Sequence, residues 1–142
     1  MGARHAGRQA ALQMLFQAEL GRLEADDAVA AFWRNFEADP EGRSYADALV
    51  HGVAGRRAEI DALITKASAN WRLERMTPVD RNVLRMGAYE LLVEMAIPRA
   101  VILDEAVELA KQFGGENSGP FVNGVLDRVA ILLNRIDHDR QV

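Results

Sequence analysis

Cysteine is absent from the 142 residues. Disulfides, thiolate metal sites and thiol nucleophiles are therefore excluded together. Histidine is scarce: His5, His51 and His138 stand singly, and none forms the His-x-x-x-His or Glu-x-x-His pair that sets two ligands on one helix face. No metal site is expected. No window approaches the roughly 18 uninterrupted apolar residues of a membrane-spanning helix, and the opening Met1-Gly-Ala-Arg-His-Ala-Gly-Arg8 lacks the apolar core of a signal peptide. The expectation is a cytoplasmic protein without membrane attachment. A Walker loop and a Gly-x-Gly-x-x-Gly turn are also missing, and Gly114-Gly115 follows a helical pattern rather than a strand. No cofactor is expected. Asp104, Glu105 and Glu108 fit the dipole at a helix start and a solvated helix face, so nothing argues for catalysis.

What the chain does have is apolar content, 49% of its residues, which is incompatible with general disorder and sufficient for one domain or two small lobes sharing a core. The net charge of −4 argues against a protein that coats nucleic acid through its overall field. Charge is unevenly placed, however. Arg4, Arg8 and Arg22 face only Glu19 within residues 1–22, whereas residues 23–41 carry six acids against Arg34 alone. Basic character is confined to one end.

The clearest helix lies at the middle of the chain. Thr77 is a capping residue, Pro78 suits the first helical position, and Asp80 completes a Thr-x-x-Asp capping box. At helical spacing, Leu84, Gly87, Ala88, Leu91, Leu92 and Met95 form one apolar stripe, and Val79, Val83, Met86 and Val93 form a second. A helix with two such stripes is packed from two sides. A polar ridge of Arg81, Asn82, Arg85 and Tyr89 and an acidic ridge of Asp80, Glu90 and Glu94 separate them.

Before this element, the pattern predicts a helix from near Arg4 to Leu20 with Ala11, Leu12, Leu15 and Phe16 inward and Gly21 at its exit. A shorter helix capped by Asp26 or Asp27 carries Val29, Phe32, Trp33 and Phe36. The Asp39-Pro-Glu-Gly42 turn ends that segment, and Ser44 caps a long helix reaching Ala67 through Gly52 and Gly55. Trp71 then anchors a seam between an N-terminal lobe, residues 1–70, and a C-terminal lobe, residues 71–142. After the central helix, Ile97-Pro98 forces a break, a helix runs from Val101 to Phe113, and Gly114-Gly115 ends it. The last helix starts at Ser118 or Gly119 ahead of Pro120 and stays amphipathic to Ile136. No alternating run of strand length competes, so the class is all-α: a compact bundle of about six to seven helices.

Two features suit binding better than folding. Arg4 and Arg8 share one helix face with His5 adjacent, where they can meet a phosphate backbone. The 114–121 loop presents backbone N–H groups at a helix start beside an aromatic, Phe121. Each has a plain alternative: arginines are common at a solvated N-terminus, and Phe121 fits a core position behind an ordinary capped turn.

The motif series Val79-Asp-Arg-x-Val-Leu-Arg85, Ala88-Tyr-Glu-Leu-Leu92, Ile97-Pro98, Glu105-Ala-Val-Glu-Leu-Ala-Lys111, Phe113-Gly114 and Phe121-Val-Asn-Gly-Val-Leu-Asp127 resembles the NusB family of bacterial transcription antitermination factors. The resemblance implies a two-lobe helical fold and a non-enzymatic role. NusB-like proteins pair with NusE, a small ribosomal protein, bind the boxA element of nascent RNA and join the antitermination complex on RNA polymerase, promoting ribosomal RNA synthesis. It also implies RNA-contacting residues at Arg4, His5, Arg8 and Phe16 and at Asn117, Ser118 and Phe121. Pro120 stands where relatives can carry a basic residue. For the protein partner, Glu74, Asp80 and Arg81 are the candidates. A different class of reading, a protein-binding helical scaffold or homo-oligomer without direct RNA recognition, is motivated by the acidic balance and the surplus of apolar helix faces. Monomer and homodimer both remain open.

Overall fold

The computed structural model describes residues 2–69 and 71–135. Seven α-helices and one 3-10 turn make up the regular structure of these residues, with no strand among them. Their contacts divide into two compact units, Met1–Arg56 and Arg57–Val142.

The first unit contains α1 (Ala3–Gly21), α2 (Ala25–Asn35) and α3 (Pro40–Gly55). Helices α1 and α3 approach closely at Gly7 and Gly42, the two crossing residues that carry no side chain. A Cβ on Gly7 would sit 2.8 Å from the Gly42 carbonyl oxygen, and one on Gly42 would sit 3.2 Å from that of Ala3. Ala11, Leu12, Met14, Ala46, Leu49, Val50 and Val53 are buried, while Leu15 and Phe16, expected inside, are half-buried.

Several helix ends differ from the sequence expectation. Asp39-Pro40 opens α3 rather than closing α2: the Asp39 carboxylate accepts the Gly42 N–H at 2.9 Å, and Pro40 takes the first helical position. This is the same cap-and-proline arrangement that Thr77-Pro78 makes, with the cap five residues ahead of the expected Ser44. The long helix expected to reach Ala67 breaks after Gly55, and α4 (Arg57–Ala67) begins the second unit. A Cβ on Gly55 would meet nothing within 4 Å, so the residue marks a helix end and not a close crossing. Helix α2 starts at Ala25, and Asp26 and Asp27 occupy its first turn, where they face the positive end of the helix dipole without capping it. At the exit of α1 the left-handed residue is Arg22, with φ 54°, instead of Gly21.

The second unit comprises α4, a 3-10 turn (Leu73–Arg75), α5 (Pro78–Val93), α6 (Arg99–Phe113) and α7 (Ser118–Leu132). Helix α5 packs against α4, α6 and α7, which places it at the centre of this unit. Thr77 Oγ1 accepts the Asp80 N–H at 3.1 Å, but the reciprocal half of the capping box is absent, since Asp80 Oδ1 is buried without a partner. A Cβ at Gly87 would lie 2.6 Å from Leu126 Cδ1, so this glycine sets the approach of α7.

Three neighbours on α5 explain why its polar ridge is not a wet one. Asn82 and Arg85 are buried. Asn82 Nδ2 donates to the Pro78 carbonyl at 2.9 Å, and Arg85 NH1 donates to Asn82 Oδ1 at 3.3 Å. Arg85 also closes on Asp61 of α4, which takes a further bond from Arg57 at 3.1 Å.

The end of α5 is held by Arg135, which is 7% exposed. Its guanidinium donates to the carbonyls of Leu91 at 2.8 Å, Glu94 at 3.1 Å and Ile97. These carbonyls lie where the helix stops and the chain turns into Pro98, and that of Glu94 also accepts the Ile97 N–H at 3.2 Å. Arg99 pairs with Asp127, and Arg128 NH1 donates to the Ala67 carbonyl at 2.8 Å, tying α7 to α6 and α4. Trp71 is 53% exposed. Its backbone closes a local turn within the second unit: the Trp71 N–H donates to the Ser68 carbonyl at 3.1 Å, and the Ser68 hydroxyl donates to the Trp71 carbonyl at 2.8 Å. Leu132 is 46% exposed and closes the last helix, while Ile136 and His138 lie outside the described residues.

Candidate nucleic-acid interface

In the first unit, the Gly7–Gly42 contact brings Tyr45 of α3 onto the opening turns of α1. A Cβ on Gly7 would be 3.2 Å from that of Tyr45. Arg4 and Arg8, one helical turn apart around Gly7, both place their guanidinium carbons over the Tyr45 ring, at 5.7 and 5.5 Å from its centroid. Arg4 is exposed. Arg8 is 3% exposed, so it braces the ring from within. His5 and Phe16 are half-buried. Arg4 and Arg8 thus do share a face, as their spacing predicts, but Tyr45 divides their roles.

The same corner continues along α3. Arg43 stands over the Trp33 ring of α2 at 5.1 Å, and the Trp33 indole N–H donates to Asp47 at 2.7 Å. Beyond this pair a groove of about 420 Å³ runs between α2 and α3, walled by Val29, Ala30 and Trp33 and rimmed by Arg34, Arg43, His51 and Asp26. His51 bridges the two helices. Nε2 lies 2.6 Å from Asp26 Oδ1, and Nδ1 lies 2.9 Å from the Asp47 carbonyl. Both partners are acceptors, so both ring nitrogens donate only in the imidazolium form, and the Asp26 hydrogen bond first, with the Asp47 carbonyl second, raises the His51 pKa above 6.5.

In the second unit, the loop before α7 is fastened by Ser118. Its hydroxyl accepts the Gly115 N–H at 3.0 Å, and its own N–H donates to the Gly115 carbonyl at 3.1 Å. Ser118 is 5% exposed, which gives it a loop-shaping role. Asn117 is exposed and makes no side-chain cap, and Phe121 is half-buried. A cation overlooked in the sequence joins them: the exposed Lys111 lays its stem across Gly119, with Cε 3.5 Å from where a Cβ on that glycine would be. The sequence signal was available, because Lys111 sits one helical turn before the Gly114-Gly115 exit.

At the entrance of α5, Arg81 turns back on the 3-10 turn. Its NH1 donates to the carbonyls of Leu73 at 3.1 Å and Met76 at 2.6 Å. Glu74, between these two carbonyls, is exposed, and Asp80 is half-buried. The three candidate partner residues are therefore neighbours: Arg81 shapes the turn that presents Glu74. Among the described residues, no group of three or more His, Cys, Asp or Glu could hold a metal ion, and no helix is long and apolar enough to cross a membrane.

The sequence model of the NusB family matches residues 5–131. The transcription antitermination protein NusB of Sorangium cellulosum (strain So ce56) is 64% identical over 140 residues, which span 99% of this chain and 100% of that protein. Among solved structures, T. maritima NusB shares 40% identity, with a TM-score of 0.82 over 92% of each chain. A chain from the crystal structure of antitermination factors NusB and NusE in complex with dsRNA shares 27% identity, with a TM-score of 0.83 over 93% of this chain and 98% of that one.

Proposed function

Because the chain belongs to the NusB family, we propose that it is a cytoplasmic, non-enzymatic transcription antitermination factor that pairs with NusE and binds boxA RNA to promote ribosomal RNA transcription. The observation that carries this reading is the nearly full-length likeness to an antitermination protein, which spans both units and every candidate surface. Physical chemistry supports the division of labour. A chain of net charge −4 has no general field for RNA, so a small cationic corner working beside a basic partner is a workable arrangement. Arg4, with His5 and Phe16, supplies the RNA contacts of the first unit, and Asn117 and Phe121, with Lys111, supply those of the second. Arg8 and Ser118 hold these surfaces in shape. Glu74, with Asp80 and Arg81 behind it, meets the protein partner.

The test is retention of a boxA RNA against a scrambled RNA of equal length by the chain together with NusE, at moderate salt. Preferential retention is expected, weakened by Arg4→Glu. Equal retention of both RNAs removes the claim of sequence recognition.

A further inference from the structure

The interaction surface reaches further than the first helix. Arginine and aromatic side chains alternate across the corner where α1, α2 and α3 meet: Arg4 and Arg8 at Tyr45, then Arg43 at Trp33, then Arg34 on the rim of the adjoining groove. The arrangement follows from helical spacing. Asp26, Val29, Ala30, Trp33 and Arg34 recur at three and four residues along α2, and Arg43, Asp47 and His51 at four along α3, so the two helices present one facing strip each.

We propose that single-stranded RNA next to the boxA element runs along this strip, with Tyr45 and the Arg43–Trp33 pair as additional contacts and an unpaired base seated in the α2–α3 groove against Trp33. The inference rests on the proposed RNA-binding function and extends its footprint. Alternation of flat apolar groups with cations matches the alternation of bases and phosphates along a single strand, and a guanidinium held over an aromatic ring offers its own plane for stacking. An acidic peptide would use the cations and leave the aromatic walls idle. Three carboxylates beside the strip are hydrogen-bonded within the protein: Asp26 with His51, Asp39 with the Gly42 N–H, and Asp47 with the Trp33 indole. The groove's rim cations, Arg34 and Arg43, are exposed.

The experiment uses the full chain with NusE and two RNAs, boxA alone and boxA with flanking single-stranded nucleotides. Trp71→Phe leaves Trp33 as the one tryptophan of the chain, so its fluorescence reports the groove. The extended RNA should quench Trp33, and Arg34→Glu with Arg43→Glu should weaken the extended RNA roughly tenfold while changing the short one little. Tyr45→Leu should weaken both RNAs, and Tyr45→Phe should restore binding, which separates loss of the aromatic face from loss of fold. If boxA is preferred over scrambled RNA but the groove variants bind the extended RNA like the parent and Trp33 is not quenched, this inference is wrong and the proposed function stands. Quenching by an acidic peptide and not by RNA also overturns it. If the parent protein prefers neither RNA, the proposed function fails and the strip has no RNA to guide.

Discussion

Arg85 grips Asp61 with two parallel bonds, Nε to Oδ1 at 2.9 Å and NH2 to Oδ2 at 3.2 Å, joining α5 to α4 from a guanidinium that is 6% exposed. The planar fork matches the carboxylate, and lysine cannot reproduce it. Asp61 keeps 26% of its side chain in solvent, which moderates the cost of losing the pair. Asp61→Ala, which strands the buried guanidinium, should destabilise the fold by about 2–3 kcal/mol, below the full penalty of a buried broken pair. Chemical denaturation measures it. Arg85→Lys, which keeps the charge and loses the fork, should also lower stability with Asp61 in place.

Gly87 lies against the fully buried Leu126. Alanine would gain up to about 1 kcal/mol of helix propensity but must push the Leu126 side chain aside in a filled core, at a cost of about 1–3 kcal/mol. Overpacking wins, and Gly87→Ala should lower the thermal midpoint. If Leu126→Ala is added, the alanine should become tolerated, because the two sites share one space. Thermal unfolding of both variants decides this.

Arg135 satisfies carbonyls from Leu91, Glu94 and Ile97 in a setting nearly closed to water. Arg135→Met retains much of the aliphatic bulk and removes this donor from the Leu91 and Ile97 carbonyls, while the Glu94 carbonyl keeps the Ile97 N–H at 3.2 Å. A loss of about 2–3 kcal/mol is expected. Amide exchange should quicken in the last turn of α5 and the following turn ahead of the rest of the second unit, as mass spectrometry of exchanged peptides would show.

His51 prefers its charged form in the folded protein, because Asp26 and the Asp47 carbonyl both accept from the ring. Its folded pKa is raised, so its stabilising contribution is fully present below the unfolded value of about 6.5 and is lost as pH rises through the folded value. The effect is small because the pair is exposed, with 47% of the His51 and 88% of the Asp26 side chain accessible. Proton NMR of the imidazole should show titration above that of a free histidine in the intact protein, and Asp26→Asn should bring it back towards the free value.

Local chemistry made much of the chain legible in advance. Thr77-Pro78, Ile97-Pro98 and Gly114 mark helix limits because caps and prolines act within one turn, and these limits stand where expected. Asp39-Pro40 carries the same signal, and reading it as a stop concealed the true start of α3. The spacing of Arg4 and Arg8 correctly put them on one face. It had no means of naming Tyr45, which comes from another helix.

Sequence alone determined the helical class, the main α5 cap and the family, since each depends on residues near one another in the chain or on the order of motifs. Tertiary structure decided which polar residues work inside. Arg85 and Asn82 occupy what reads as a wet ridge, and Arg135 comes from beyond the last helix, yet all three are buried with partners. The reason is that periodicity counts the apolar faces of one helix, whereas burial of a charge depends on whether a carboxylate or an open carbonyl arrives from another segment. Asp61 and the end of α5 provide those partners only once the second unit has packed.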